Sequence, residues 1–78
     1  MQKDEYAKAF GEHLKRLLEE REMTQKFLAA KTGMTEPSVS RYVNGERTPR
    51  ISQAYRIACV LGVDMNTLTA YLKEGEKQ

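Results

Sequence analysis

One cysteine, two prolines, one histidine and no tryptophan occur in these 78 residues. Cys59 alone excludes an internal disulfide framework and any multi-cysteine metal site, which fits a reducing compartment such as the cytoplasm. His13 has no second histidine or cysteine near it, so neither a metal nor a catalytic role has support. No apolar run approaches the roughly eighteen residues of a membrane span, and the opening MQKDEYAKAF is too polar for a signal peptide. There is no glycine-rich phosphate loop, because Asn44, Gly45 and Glu46 read as a helix end. Repeats, low-complexity stretches and long linkers are missing too. What remains is one domain over 1–78, with a core of about 4–73 and a frayed tail at 74–78. No enzyme activity, cofactor, metal, membrane contact or small-molecule ligand is expected. So short a chain needs an efficient core or a partner subunit, which makes dimerisation a physical expectation.

Charge says little in total and more in its distribution. The formal net charge is +2. Residues 21–56 hold seven cations, Arg21, Lys26, Lys31, Arg41, Arg47, Arg50 and Arg56, against Glu22, Glu36 and Glu46. Both flanks are slightly acidic. Basic charge gathered in one segment suits a surface that faces phosphates.

Helical periodicity runs throughout and predicts an all-α fold of five helices. Tyr6, Phe10, Leu14, Leu17 and Leu18 recur at spacings of three and four, giving a first helix from about Asp4 to Arg21. Thr24 caps a second helix reaching about Lys31, which Thr32 and Gly33 end. Thr35 caps the third, with Glu36 favoured by the helix dipole and Pro37 tolerated where first-turn amides lack partners. Asn44 and Gly45 close it. After the charged loop Glu46–Arg50, the fourth helix runs from roughly Ile51 to Leu61, burying Ile51, Ala54, Ile57, Ala58 and Leu61, and Gly62 stops it. Cys59 falls on its flank as a half-buried small hydrophobe. Asp64 caps a fifth helix, about Met65 to Lys73.

Within this pattern, Gln25 to Asn44 reads as two short helices joined by a glycine turn, the arrangement of a DNA-reading helix-turn-helix. Ala29 lets the two helices cross closely, Gly33 takes the positive φ of a tight turn, and Val39 plugs the second helix of the pair into the core. On that helix, Val39, Tyr42 and Val43 fall on one side, and Pro37, Ser40, Arg41 and Asn44 on the other, with Glu36 at the tip. The outward set is the one that would enter a major groove. Arg41 can donate two hydrogen bonds to guanine, and Glu36 can accept from a cytosine amine.

From LKRLLEEREMTQKFLAAKTGM through TEPSVSRYVNGERTPR to ISQAYRIACVLGVDMNTL, about Leu14 to Leu68, the chain resembles the phage-repressor-like Cro/CI-type helix-turn-helix regulators, the XRE family. The resemblance implies a compact lambda-repressor-like domain in which Glu36, Pro37 and Arg41 touch bases, with Ser40 reaching a base or a phosphate. It also implies phosphate binding by Gln25 at the start of the second helix, where the dipole favours anions, and by Arg47 and Arg50 in the loop after the third. Asn44 can cap its helix, bind phosphate or do both. Many relatives bury an arginine at position 18 against a glutamate at position 43; here Leu18 and Val43 make that contact apolar, a replacement that well-packed cores accept. Thr32 stands where an apolar residue is usual. Arg50 stands where relatives often cap the fourth helix with serine or threonine, so that helix is expected to start late, with Ser52 compensating.

The function expected is a homodimeric repressor that reads an inverted repeat in double-stranded DNA. Val63, Met65, Leu68, Tyr71 and Leu72 are the residues a lone domain would waste, and so the expected dimer surface. The competing reading keeps the fold without DNA binding, as a protein-interaction module.

Overall fold

The structure, a computed structural model, describes residues 2–70, with side chains from 5 onward. Five helices follow in order: α1 (Gln2–Glu20), α2 (Gln25–Thr32), α3 (Glu36–Val43), α4 (Ile51–Leu61) and α5 (Met65–Leu68). No strand occurs among the described residues. α1 packs on α3, α3 on α2, α2 on α4, and α4 on α5. Between them Phe10, Leu14, Leu28, Val39, Ile57 and Leu68 are fully buried. Leu18 is buried and Val43 half-buried against the same core, so the apolar substitute for the relatives' ion pair is a packed one.

Two expected core residues lie outside it. Tyr6 is 45% exposed, because Ala7 lies nearer the centre of the stripe formed by Phe10, Leu14, Leu17 and Leu18 and takes the inward place. Ile51 is 80% exposed. The buried face of α4 is centred on Ala54, Ile57, Ala58 and Leu61, and Ile51 sits off its edge at the first helical position. Cys59 is exposed rather than half-buried, since it points almost opposite to that face.

Helix ends follow the caps read from the sequence. The Thr24 hydroxyl accepts from the Phe27 N–H at 3.0 Å, the Thr35 hydroxyl from the Ser38 N–H at 3.2 Å, and the Asp64 carboxylate from the Thr67 N–H at 2.8 Å. The Thr67 bonds hold the Asp64 carboxyl below the usual carboxylate range. The Thr32 hydroxyl is satisfied by the Leu28 carbonyl of its own helix at 2.7 Å, which is how a polar residue stands at this buried site. α4 runs from Ile51 to Leu61 as its periodicity predicts, but it does not start late and Ser52 plays no capping role: the Gln53 side-chain oxygen accepts from the Arg50 N–H at 3.4 Å. α5 is a single turn that ends at Thr69, whose hydroxyl donates to the Met65 carbonyl at 2.7 Å. The expected continuation through Tyr71 and Leu72 to Lys73 lies outside the described residues.

Candidate nucleic-acid interface

The position of α3 is set from both ends. At its N-terminal side Gly33 has φ 76°, and the Met34 N–H bonds the Ala29 carbonyl at 3.0 Å, turning the chain sharply out of α2. Thr35 then starts α3 and also donates to the Ser38 hydroxyl at 2.9 Å, so its side chain is fixed twice. At the C-terminal side, α1 crosses so closely that a Cβ on Gly11 would lie 2.6 Å from the Val43 carbonyl oxygen and 2.7 Å from that of Tyr42. Only glycine fits there.

Beyond α3, one side-chain oxygen joins three segments. The Tyr42 hydroxyl donates to Gln53 Oε1 at 2.8 Å, and the Arg50 N–H donates to the same atom. Gln53 thereby holds the end of α3, the loop that carries Arg47 and Arg50, and the first turn of α4 in one arrangement. The sequence offered little sign of this. A partly polar residue at the third position of α4 is also the second half of an ordinary helix cap.

The α3 surface opposite Val39 and Tyr42 is the one read from the sequence. Glu36, Pro37, Arg41 and Asn44 are exposed and Ser40 is half-buried between them. Asn44 ends the helix at φ −80°, and its side-chain amide approaches the Ser40 hydroxyl at 3.4 Å, giving it the capping place and leaving it on the outer face. Arg47 and Arg50 are exposed in the adjoining loop, and Gln25 is half-buried at the first position of α2, behind the Thr24 cap.

Not all the basic residues of this segment are available to a ligand. Arg21 Nε donates to the Leu61 carbonyl at 2.7 Å, tying the end of α1 to the end of α4. Arg56 reaches the Thr32 carbonyl at the end of α2 at 3.5 Å. Both serve helix C-termini, where cations are favoured. Lys31 lies 5.5 Å from the centre of the Phe27 ring. The positive charge that remains comes from Arg41, Arg47 and Arg50 around α3 and from exposed Lys26 in the first turn of α2, set off by Glu36 at the tip of α3.

Of the expected dimer residues, Val63 and Met65 are half-buried and keep some surface. Leu68 does not: it is wholly inside the core, so its side chain has nothing to offer a second subunit. Tyr71 and Leu72 lie outside the described residues. His13 is absorbed by the fold, with Nε2 2.8 Å from the Thr67 carbonyl, a bond that joins α1 to α5. No group of metal-ligating side chains occurs among the described residues, and none of their helices is long and apolar enough to cross a membrane.

A short helix, a glycine turn and a second helix with an exposed polar face, clasped by a crossing helix, define a helix-turn-helix DNA-binding domain. The helix-turn-helix family model matches residues 14–68, and this chain belongs to that family, the XRE-type regulators. It is 33% identical over 67 residues to "Uncharacterized HTH-type transcriptional regulator YqaE" of Bacillus subtilis (strain 168). That match takes in 86% of this chain and 54% of the relative, so the chain spans about half the length of that protein.

Proposed function

We propose that this domain acts as a homodimeric repressor on an inverted-repeat operator, each copy laying α3 in the major groove of one half-site. The single observation that carries this reading is the outer face of α3, where Glu36, Pro37, Ser40 and Arg41 stand together on a helix clamped at both ends. Arg41 takes a guanine edge by two hydrogen bonds, Glu36 accepts from a cytosine amine, and Pro37 and Ser40 fill in by apolar and hydroxyl contact. Gln25, Asn44, Arg47 and Arg50 hold phosphates and set the register. Two copies meet at the C-terminal edge, where Val63 and Met65 keep surface. Repression needs no further contact, because a dimer seated on a promoter excludes other proteins from it. Such a protein works where the DNA is, in the cytoplasm.

Selection of bound duplexes from a random pool tests this. Enrichment of a palindrome with half-sites about one helical turn apart is the expected result. Enrichment of a single asymmetric site would remove the homodimer, and failure to enrich anything would remove DNA reading. One observation favours a second reading in that event. The Glu36 carboxylate is exposed at the tip of α3, where it repels phosphate, and it would suit a protein partner instead.

A further inference from the structure

The first turns of α1 precede the family-matched residues 14–68, yet they are packed against the end of α3. Two glycines make this approach possible. Gly11 lies against the Tyr42 and Val43 carbonyls, and a Cβ on it would also stand 3.0 Å from the Gly45 nitrogen. One turn earlier on α1, Lys8 is the neighbour of Gly45 itself: a Cβ on Gly45 would lie 3.0 Å from the Lys8 Cα and 3.2 Å from its Cγ. The backbone and stem of Lys8 therefore rest on the residue that opens the loop carrying Arg47 and Arg50.

That loop is tied down along its length. The Gly45 N–H bonds the Tyr42 carbonyl at 3.2 Å, the Glu46 N–H bonds that of Arg41 at 2.9 Å, and the Arg50 N–H bonds Gln53 Oε1 at 3.4 Å. α1, the end of α3 and the loop thus make one frame, and three cations project from it.

Lys8 is exposed, and among the described residues no carboxylate pairs with its ammonium; the one ion pair there joins Arg21 to Glu20. Glu5 and Glu12 are its acidic neighbours along α1, and both point farther round the helix from α3. Measured from the direction of Gly11, Lys8 lies about 60° away, Glu12 about 100° and Glu5 about 120°. Of these three charges the cation stands nearest the loop.

We infer that Lys8 is a further phosphate-binding residue of this domain, its ammonium holding a backbone phosphate of double-stranded DNA beside those taken by Arg47 and Arg50. This rests on the reading of α3 as the helix that enters the groove, and not on the homodimer. Cations gathered on one rigid frame without a paired carboxylate raise the local concentration of anions. The surface around them is open, so a small phosphate compound would find nothing to enclose it, whereas a duplex is already held in register by α3. A lysine supplies a point charge on a flexible stem and takes a phosphate without reading a base. The contact therefore adds affinity for any sequence and extends the interface onto a part of α1 outside the helix-turn-helix.

The salt dependence of binding to a mixed-sequence duplex tests this. Each neutralised phosphate contributes about 0.9 to the slope of log affinity against log salt, so Lys8→Gln should flatten that slope by about 0.9. The advantage of the natural protein should then shrink about 3.5-fold between about 50 and 200 mM salt. Lys8→Arg should keep the natural slope. Arg16→Gln is the control: it removes the same charge from the same helix, about 12 Å farther along and on the side where His13 meets α5, more than the roughly 10 Å Debye length of 0.1 M salt. Its slope should stay natural. Proximity is read separately by a tethered iron–EDTA group, which should cut a bound duplex from the thiol of Lys8→Cys, Cys59→Ser and not from that of Arg16→Cys, Cys59→Ser. An unchanged slope in Lys8→Gln, or no cutting from position 8, overturns the assignment and leaves DNA reading by α3 intact. An equal flattening in Arg16→Gln would reduce the effect to net charge and overturn it too. A natural protein that binds no duplex overturns both readings at once.

Discussion

The two ends of α3 are held by glycines that do opposite work. Gly33, before the helix, has φ 76° and open space around its α-carbon: nothing would touch an added Cβ within 4 Å. Gly11, in the middle of α1, has ordinary helical backbone and no space at all, since the carbonyls of Tyr42 and Val43 lie against it. One glycine is required by dihedral angle, the other by contact. The first requirement is local and can be seen in a linear pattern; the second exists only once α1 has crossed α3.

Gly11→Ala breaks the comparison most violently. The methyl group must push two backbone carbonyls that are already committed to the end of α3, so the helices separate or the end of α3 deforms. A loss of about 3 kcal/mol is expected, at the upper end of overpacking effects. Chemical denaturation reads it, and a loss below about 1 kcal/mol would show that α1 and α3 do not meet as described.

Gly33→Val is the matching test at the other end. Here the cost comes entirely from a β-branched residue at positive φ, about 2 kcal/mol, with no steric neighbour to add to it. Gly33→Asn should recover part of that loss, because asparagine tolerates the left-handed region. No such rescue exists at Gly11, where asparagine should be worse than alanine. Thermal unfolding of these variants separates strain from contact, and equal behaviour at the two sites would refute the distinction.

That distinction also explains what the sequence disclosed. The Thr24, Thr35 and Asp64 caps, the turn at Gly33 and the outward face of α3 each depend on a few adjacent residues and one period, and the structure has them where the pattern put them. The misplacements share another origin. Ile51, Tyr6 and Cys59 were assigned by apolarity and spacing, but burial depends on where a stripe is centred against other helices. Gln53 and Arg56 went unread because their partners, Tyr42 and Thr32, are 11 and 24 residues away. Arg21 likewise counts in the sequence only as one more cation of the basic segment, because the Leu61 carbonyl to which it donates is 40 residues on. For the candidate interface, the sequence could name which side chains face outward but not how α3 and the following loop are locked together.

Between the two clamps lies the surface they position, and substitutions at Arg41, at the loop arginines and at Gln53 sharpen the account of it. Arg41→Ala should cost about 1–3 kcal/mol on a preferred duplex and relax preference at one symmetric position per half-site, while an Arg47 or Arg50 change weakens all sequences alike and flattens the salt dependence. Binding to a substituted operator series distinguishes them; full specificity without Arg41 would mean that another face reads the bases. Gln53→Leu acts at one remove. It leaves the Tyr42 hydroxyl and the Arg50 N–H without their shared acceptor, for about 1 kcal/mol of stability. The loop arginines should lose register with it, so the salt dependence on a mixed-sequence duplex should also flatten. A purely structural Gln53 would lower stability and leave that slope alone.

The smallest effect is expected at a third site, where a residue of the wrong type fills a place like that of Gly33. α1 ends as α2 does: the Met23 N–H bonds the Leu18 carbonyl at 3.0 Å, the Glu22 N–H bonds that of Glu19 at 3.1 Å, and Glu22 sits at φ 55°. Among the described residues it is the one non-glycine at positive φ, and its side chain is exposed. Replacing it by glycine removes the left-handed strain of an L-residue, worth about 1–2 kcal/mol, but also gives the unfolded chain more freedom to lose. The balance favours the variant by about 0.5 kcal/mol, so Glu22→Gly should melt slightly above the natural protein. Glu22→Ala should melt no higher than the natural protein, since alanine keeps a Cβ in the same region of φ. If the glycine variant were instead less stable, the carboxylate would have to hold something that the backbone conformation does not reveal, and dihedral strain would no longer account for the end of α1.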